Sequence, residues 1–183
     1  MSAIRSFPPI AGKNARILIL GSIPGKASLK AGEYYAHPRN QFWPIMAELL
    51  ACGPLPDYPS KTRALLDADI ALWDVMQSCY RPGSLDAAIE KSSVVANDFK
   101  GFLAGHPQIR HIFFNGATAE QAFRRLVLPD LRNSTLCLQR LPSTSPAHAA
   151  LSLQEKLRCW SVIVPAPSLP APLNDSLDGI FRP

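Results

Sequence analysis

The chain has 183 residues, of which 47% are hydrophobic and 18% charged, with a formal net charge of +5 from 19 basic and 14 acidic side chains. That length is enough for one domain with its own core. The composition excludes a disordered or collagenous chain, and no apolar run approaches the ~20 residues of a membrane span. The modest positive charge permits a polyanionic partner without requiring one.

Residues 1 to 14 hold Pro8-Pro9 and Gly12 and are expected to be an irregular lead-in. They lack a basic segment followed by an apolar run, so no signal peptide is expected, and a cytoplasmic location is the default. Ala15 to Leu20, ARILIL, is predicted as a buried strand that delivers its end into the loop Gly21-Ser22-Ile23-Pro24-Gly25. GSIPGK is one residue short of a phosphate loop and lacks the following Ser or Thr, so that reading is rejected. A plain tight turn and a ligand-binding loop both remain open.

The loop is expected to run to about Arg39 and carries Tyr34, Tyr35, His37 and Pro38. A helix is predicted over Asn40 to Ala51, with Asn40 either as its N-cap or as a polar group held for chemistry. Tyr35 is either a core aromatic or a stacking plate. Ser60 is expected to cap a short helix over Thr62 to Leu66. Ile70 to Val75 is the second strand, and it leaves Asp74 at the end of an otherwise apolar run. A carboxylate there is costly unless partnered, by backbone amides or by a ligand.

Gln77 to Gly83 is predicted as a loop, followed by a helix opened by Ser84-Leu85-Asp86 and another from Asn97-Asp98 to Gly105. His111 to Phe114 is the third strand, Asn115-Gly116 its turn, and Thr118 to Leu126 the next helix. Thr135 to Leu141 is the fourth strand and leads into Pro142-Ser143-Thr144-Ser145-Pro146-Ala147-His148, whose hydroxyls and amides suit phosphate oxygens. A last helix spans Leu153 to Val164. Strands alternating with helices predict a parallel sheet covered on both faces.

Residues 165 to 183 hold five prolines in nineteen residues and are expected to form an extended tail, leaving residues 1 to 164 as a single domain. The four cysteines never form a C-x-x-C pair, which speaks against a local metal site and favours reduced, mostly buried thiols.

In order, GSIPG, YYAHPRNQFW, LWDV, CYRPGSLD, FFNG and LPSTSPAHA resemble the uracil-DNA glycosylase superfamily, and within it the hypoxanthine- (deoxyinosine-) DNA glycosylase branch. The resemblance runs from about Ile17 to Ala149. It implies a three-layer α/β/α sandwich around a four-stranded parallel sheet, and excision of a deaminated base from DNA without metal or organic cofactor. A monomer that acts on DNA is expected, cytoplasmic and, when acting on DNA, associated with the bacterial nucleoid.

Carried over by position, Gly21 to Gly25 would wrap the flipped base, Tyr35 would stack on it, and Asp74 would read it by accepting from a ring N–H. Asn40 would take the catalytic part. Ser143, Thr144, Ser145, Pro146 and His148 would press on the DNA, with Lys26, Arg39 and Arg81 either tracking phosphates or simply solvated. Ser22 departs from the superfamily, in which many members carry Asp or Asn there to handle the attacking water. A serine hydroxyl is too weak a base to replace a carboxylate, so Asn40 is the expected water holder. Preference for uracil, and a non-catalytic nucleotide- or DNA-binding module, are the alternatives.

Overall fold

A computed structural model describes residues 3–83, 85–131 and 135–164. Its core is a four-stranded parallel sheet made of β2 (Ile17–Gly21), β3 (Ile70–Asp74), β6 (His111–Asn115) and β7 (Cys137–Leu141), in the order β3-β2-β6-β7. The near-continuous apolar runs of β2 and β3 reflect a sheet buried on both faces. Side chains alternate between those faces. Leu18, Leu20, Ala71, Trp73, Ile112 and Phe114 join one apolar cluster, while Ile19, Ile70, Leu72 and Phe113 join the other.

Each cluster is closed by helices. On the first face lie α4 (Phe99–Gly105) and α5 (Ala117–Leu126), which contribute Phe99, Ala119, Ala122 and Phe123. On the second lie α2 (Phe42–Leu49), α3 (Tyr58–Asp67) and α6 (Leu153–Trp160), which contribute Phe42, Ile45, Met46, Leu65 and Trp160. The fold is therefore the three-layer α/β/α sandwich expected.

Several local expectations are corrected. A helix, α1 (Lys26–Ala31), occupies part of the long loop after β2. Helix α3 starts earlier than predicted because Asp57, not Ser60, caps it: the Asp57 side chain accepts from the Ser60 N–H, and Pro59 fits the first turn. The helix predicted to open at Ser84-Leu85-Asp86 is absent among the described residues. Ser84 itself lies outside them, and the chain beyond it forms two single 3-10 turns, Asp86–Ala88 and Lys91–Ser93. Short polar stretches of this kind have no apolar stripe to anchor a longer helix.

A small antiparallel sheet of β1 (Ile4–Arg5), β4 (Met76–Cys79) and β5 (Val95–Ala96) was not expected, and it orders part of the lead-in and of the predicted Gln77–Gly83 loop. Only Cys79 is buried; Cys52, Cys137 and Cys159 are exposed free thiols, against the expectation of mostly buried ones. The Pro-rich tail lies outside the described residues.

Phe123 is fully buried and meets Phe99 and Phe114 ring to ring at centroid distances of 5.2 Å each. Phe123→Ala is expected to cost about 3–5 kcal/mol, measured by denaturant unfolding.

Candidate active site

All four parallel strands point their C-terminal ends to one edge of the sheet, the usual place for a ligand in an open α/β fold. There the chain leaves a cleft of about 930 Å³. Its lining joins the Gly21–Gly25 loop, Tyr35, Asn40, Asp74 and the Ser143–His148 loop. The glycine loop and the Tyr35 and Asn40 side chains, all given parts in the expected site, thus face one cavity.

The floor is set by strand register. Gly21 pairs with Asp74 across β2 and β3, and strand alternation turns Asp74 to the face occupied by Ile70 and Leu72. Gly21 leaves the space that this needs: a Cβ there would run into Asp74 Oδ1 and lie 2.9 Å from the Tyr35 hydroxyl. The Asp74 backbone is pinned by Asn97, whose Nδ2 donates to the Asp74 carbonyl at 2.8 Å.

The Asp74 side chain is not similarly satisfied. Asp74 is only 3% exposed, and its Oδ2 has no hydrogen-bond partner. Burial, with the nearby Asp86 carboxylate adding to it, pushes the Asp74 carboxyl up to about 8, against the lowering pull of Arg81. At neutral pH this group is mostly a neutral acid, able to donate as well as accept.

Tyr35 forms a wall beside it. The residue has φ 54, a left-handed conformation unusual for a bulky side chain, and its ring stacks on Phe42 at 4.2 Å. The corner that imposes this is tied down on the neighbouring Tyr34. Its N–H donates to the Tyr58 hydroxyl at 3.1 Å, its carbonyl accepts from Trp43 Nε1 at 2.8 Å, and its own hydroxyl donates toward the Phe7 and Pro8 carbonyls. The Tyr35 hydroxyl, by contrast, is buried without a hydrogen bond of ordinary geometry, with the Asn115 side chain near it. Burial pushes its phenol well above the ordinary tyrosine value, with Asp74 adding to the effect.

Asn40 is half-buried on the cleft wall. It is not the N-cap expected of it, since Gln41 occupies the cap position of α2 one residue later, but its Oδ1 accepts from the Phe42 N–H at 3.0 Å. One carbonyl lone pair is therefore used locally, and the orientation of the amide is fixed by the backbone.

The Ser143–His148 loop is held by a residue that sequence reading assigned to a simple turn. Asn115 Nδ2 donates to Thr144 Oγ1 at 2.8 Å, and Asn115 Oδ1 accepts from the Thr144 N–H at 2.8 Å. Thr144 is fully buried, and its carbonyl accepts from the Gln41 N–H at 3.0 Å. It is a fastening between the two loops rather than a surface contact, while Ser143, Ser145, Pro146 and His148 remain at the rim. The buried Lys156 adds a second tie, donating to Gln41 Oε1 at 2.8 Å and to the His148 carbonyl at 2.9 Å.

Of the three cations, Lys26 and Arg39 are exposed beside the cleft. Arg81 is not: its side chain is 1% exposed, with Nη2 donating to the Pro24 carbonyl at 2.6 Å and Nη1 facing Asp86 Oδ1 at 3.4 Å. It braces the first loop from behind. Its Nε, with Tyr35 Oη and Asp74 Oδ2, completes a set of three buried polar atoms without a partner among the described residues, all belonging to residues that line this cleft. Among the described residues no group of three or more His, Cys, Asp or Glu side chains is arranged to hold a metal.

A sheet-edge cleft with a buried acid at its floor and an aromatic wall backed by Phe42 has the polarity and shape that suit a flat, hydrogen-bonding ring. The comparisons with known proteins give this site its family. The family model described as the uracil DNA glycosylase superfamily matches residues 8–169, and the chain belongs to that superfamily. A hypoxanthine DNA glycosylase of Methanosarcina acetivorans is 35% identical over 150 residues, covering 81% of this chain and 90% of that protein. One of Methanosarcina barkeri is 34% identical over 113 residues, covering 61% and 70%. A solution NMR structure of a candidate uracil DNA glycosylase from Methanosarcina acetivorans superposes with a TM-score of 0.74 at 32% identity, over 88% of this chain and 96% of that one.

The raised value of Asp74 links folding to pH. A carboxyl that holds its proton in the folded state up to about 8, and up to about 4 when unfolded, contributes stability below that lower value that is lost as pH rises toward 8. Asp74→Asn removes this dependence. Its melting temperature relative to wild type is expected to rise between pH 5 and pH 8; a constant difference across that range would contradict the assignment.

Proposed function

We propose that the protein is a monofunctional DNA glycosylase that hydrolyses the N-glycosidic bond of a deaminated base, hypoxanthine above all, flipped out of DNA. The observation that carries this reading is the buried Asp74 carboxyl, its Oδ2 without a partner, beside Tyr35 in the cleft. Deamination of adenine creates an N1–H next to a C6 carbonyl. A neutral carboxyl is the complement of that edge, accepting from N1–H and donating to O6. The relatives named hypoxanthine DNA glycosylase support the same substrate.

The chemistry is set by where charge develops. As the bond lengthens, the base gains negative charge and the sugar positive charge. A proton on Asp74 shared with O6 stabilises the leaving base, whereas an ionised Asp74 would repel it. The ring would be held between Tyr35, itself supported by Phe42, and the Gly21–Gly25 backbone. Asn40, with its amide fixed by the Phe42 N–H, offers its remaining carbonyl lone pair to the attacking water.

Because a neutral acid is a tolerant partner, selection against adenine also rests on flipping, which costs a few kcal/mol and least at a mispaired base. Exposed Lys26, Arg39 and His148, with Ser143, Ser145 and Pro146, supply the rim that meets DNA phosphates. No helix among the described residues is long and apolar enough to cross a membrane. The protein acts on DNA as a cytoplasmic monomer in this reading. Uracil presents the same N–H and C=O pair on a smaller ring, which leaves part of the cleft unfilled and makes it the lesser substrate.

Duplexes carrying a single deoxyinosine or deoxyuridine, followed by alkaline cleavage of abasic sites, test this directly. Deoxyinosine is expected to be cut faster; cutting of deoxyuridine alone would overturn the preference, and cutting of neither would favour a binding module. Asn40→Ala should lower the single-turnover rate about 10²-fold or more. The wild-type rate should fall as pH rises through about 8, where Asp74 loses its proton. Asp74→Asn, which keeps one donor and one acceptor, should lose that alkaline limb.

A further inference from the structure

Ser22, the weak point of the first motif as a sequence, has a partner 64 positions along the chain. Its Oγ donates to Asp86 Oδ2 at 2.7 Å. Asp86 is held from its other side by Arg81, which cannot swing away because it is buried and anchored on the Pro24 carbonyl. Hydroxyl, carboxylate and guanidinium form one short chain, and Ser22, Arg81 and Asp86 all line the cleft.

Depth separates this chain from the base-reading floor. Asp74 is 3% exposed, whereas the Asp86 side chain is 34% exposed and sits toward the rim. A purine whose N1–C6 edge meets Asp74 has its glycosidic nitrogen on the opposite side of the ring system. That side faces the rim, and the sugar goes with it.

The geometry points to Asp86 as a positioning residue for the hydrolysis, acting through Ser22 to hold and deprotonate the attacking water. The inference rests on the glycosylase reading above. With its proton directed at Asp86, the Ser22 oxygen presents its lone pairs to the cleft and accepts one water proton, while Asn40 Oδ1 accepts the other. The C1′–N bond breaks with its electron pair passing to the base, and a water lone pair forms the new C1′–O bond. The water proton passes to Ser22 Oγ as the Ser22 proton passes to Asp86 Oδ2, from which it is lost to solvent or to the departing base. A serine activated by an adjacent base is the general solution to a weak hydroxyl. The Asp86 carboxylate also lies on the side where the sugar gains positive charge.

Single-turnover excision of hypoxanthine from a deoxyinosine duplex tests the assignment. Asp86→Asn is expected to lower the rate about 10²-fold while leaving duplex affinity unchanged. Ser22→Ala should cost a similar factor, and the double variant should be no slower than the slower single variant, since the two act as one unit. Asp86→Glu should recover part of the rate.

A pH profile separates the charge of Asp86 from its action through Ser22. The groups facing Asp74 are Arg81, Asp86, Tyr34, Tyr35 and Tyr58, with Lys26, His37, Arg39 and His148 around the same cleft. Asp86→Asn removes one negative charge from that set, so the alkaline limb should move to lower pH, whereas Ser22→Ala keeps that charge and should lose rate with the limb in place. Asp86→Asn and Ser22→Ala both cutting at the wild-type rate would overturn the inference while leaving the glycosylase reading intact. If Asp86→Asn does not fold, Ser22→Ala decides alone. A wild-type protein that cuts no deaminated base overturns both.

Discussion

The structure depends on keeping one carboxyl, that of Asp74, out of water at the end of an apolar strand. Desolvation of a charge there is prohibitive, and the group answers by holding its proton to about pH 8. The surroundings are shaped by that demand. Gly21 gives up a side chain so that the carboxyl can lie against β2, Tyr35 accepts a left-handed backbone to cover it, and Asn97 fixes its peptide from the far side. Core packing on both faces of the sheet is what holds an acid with one unpartnered oxygen in such a place.

The two loops around that floor are fastened to each other as well as to the sheet. Asn115 and the Gln41 N–H grip Thr144 from two directions, and Lys156 connects Gln41 to the His148 carbonyl. On the opposite side Arg81 holds the Pro24 carbonyl. These side chains sit behind the cleft surface and fix its shape before any ligand arrives, which lowers the ordering cost of binding. The side chains of rim residues such as His148 and Arg39 are left outside this network, as groups that must adapt to a flexible polyanion should be.

Much of this was legible in the chain because it depends on local pattern. The runs ILIL, IALW and HIFF identify buried strands by themselves, and the alternation of strands and helices limits the sheet to a parallel one. Ser152 and Glu155 form a capping box at the start of α6, where the last helix was expected. What escaped depends on contacts between distant segments. Arg81 reads as a surface cation until the fold buries it, Asn115-Gly116 reads as a turn until its side chain meets Thr144, and Asp86 is an ordinary loop acid until it meets Ser22. The partner of Ser22 carried no local signal, since its spacing of 64 residues has no periodicity to betray it.

The protonation state of Asp74 is the claim on which the rest turns, and it can be observed without substrate. Selective ¹³C labelling of aspartate and an NMR titration of the Asp74 carboxyl carbon between pH 4 and pH 10, assigned with Asp74→Asn, measures it directly. The account predicts a midpoint at about 8. A midpoint near the ordinary aspartate value of about 4 would contradict it, because the floor of the cleft would then carry a full negative charge at neutral pH.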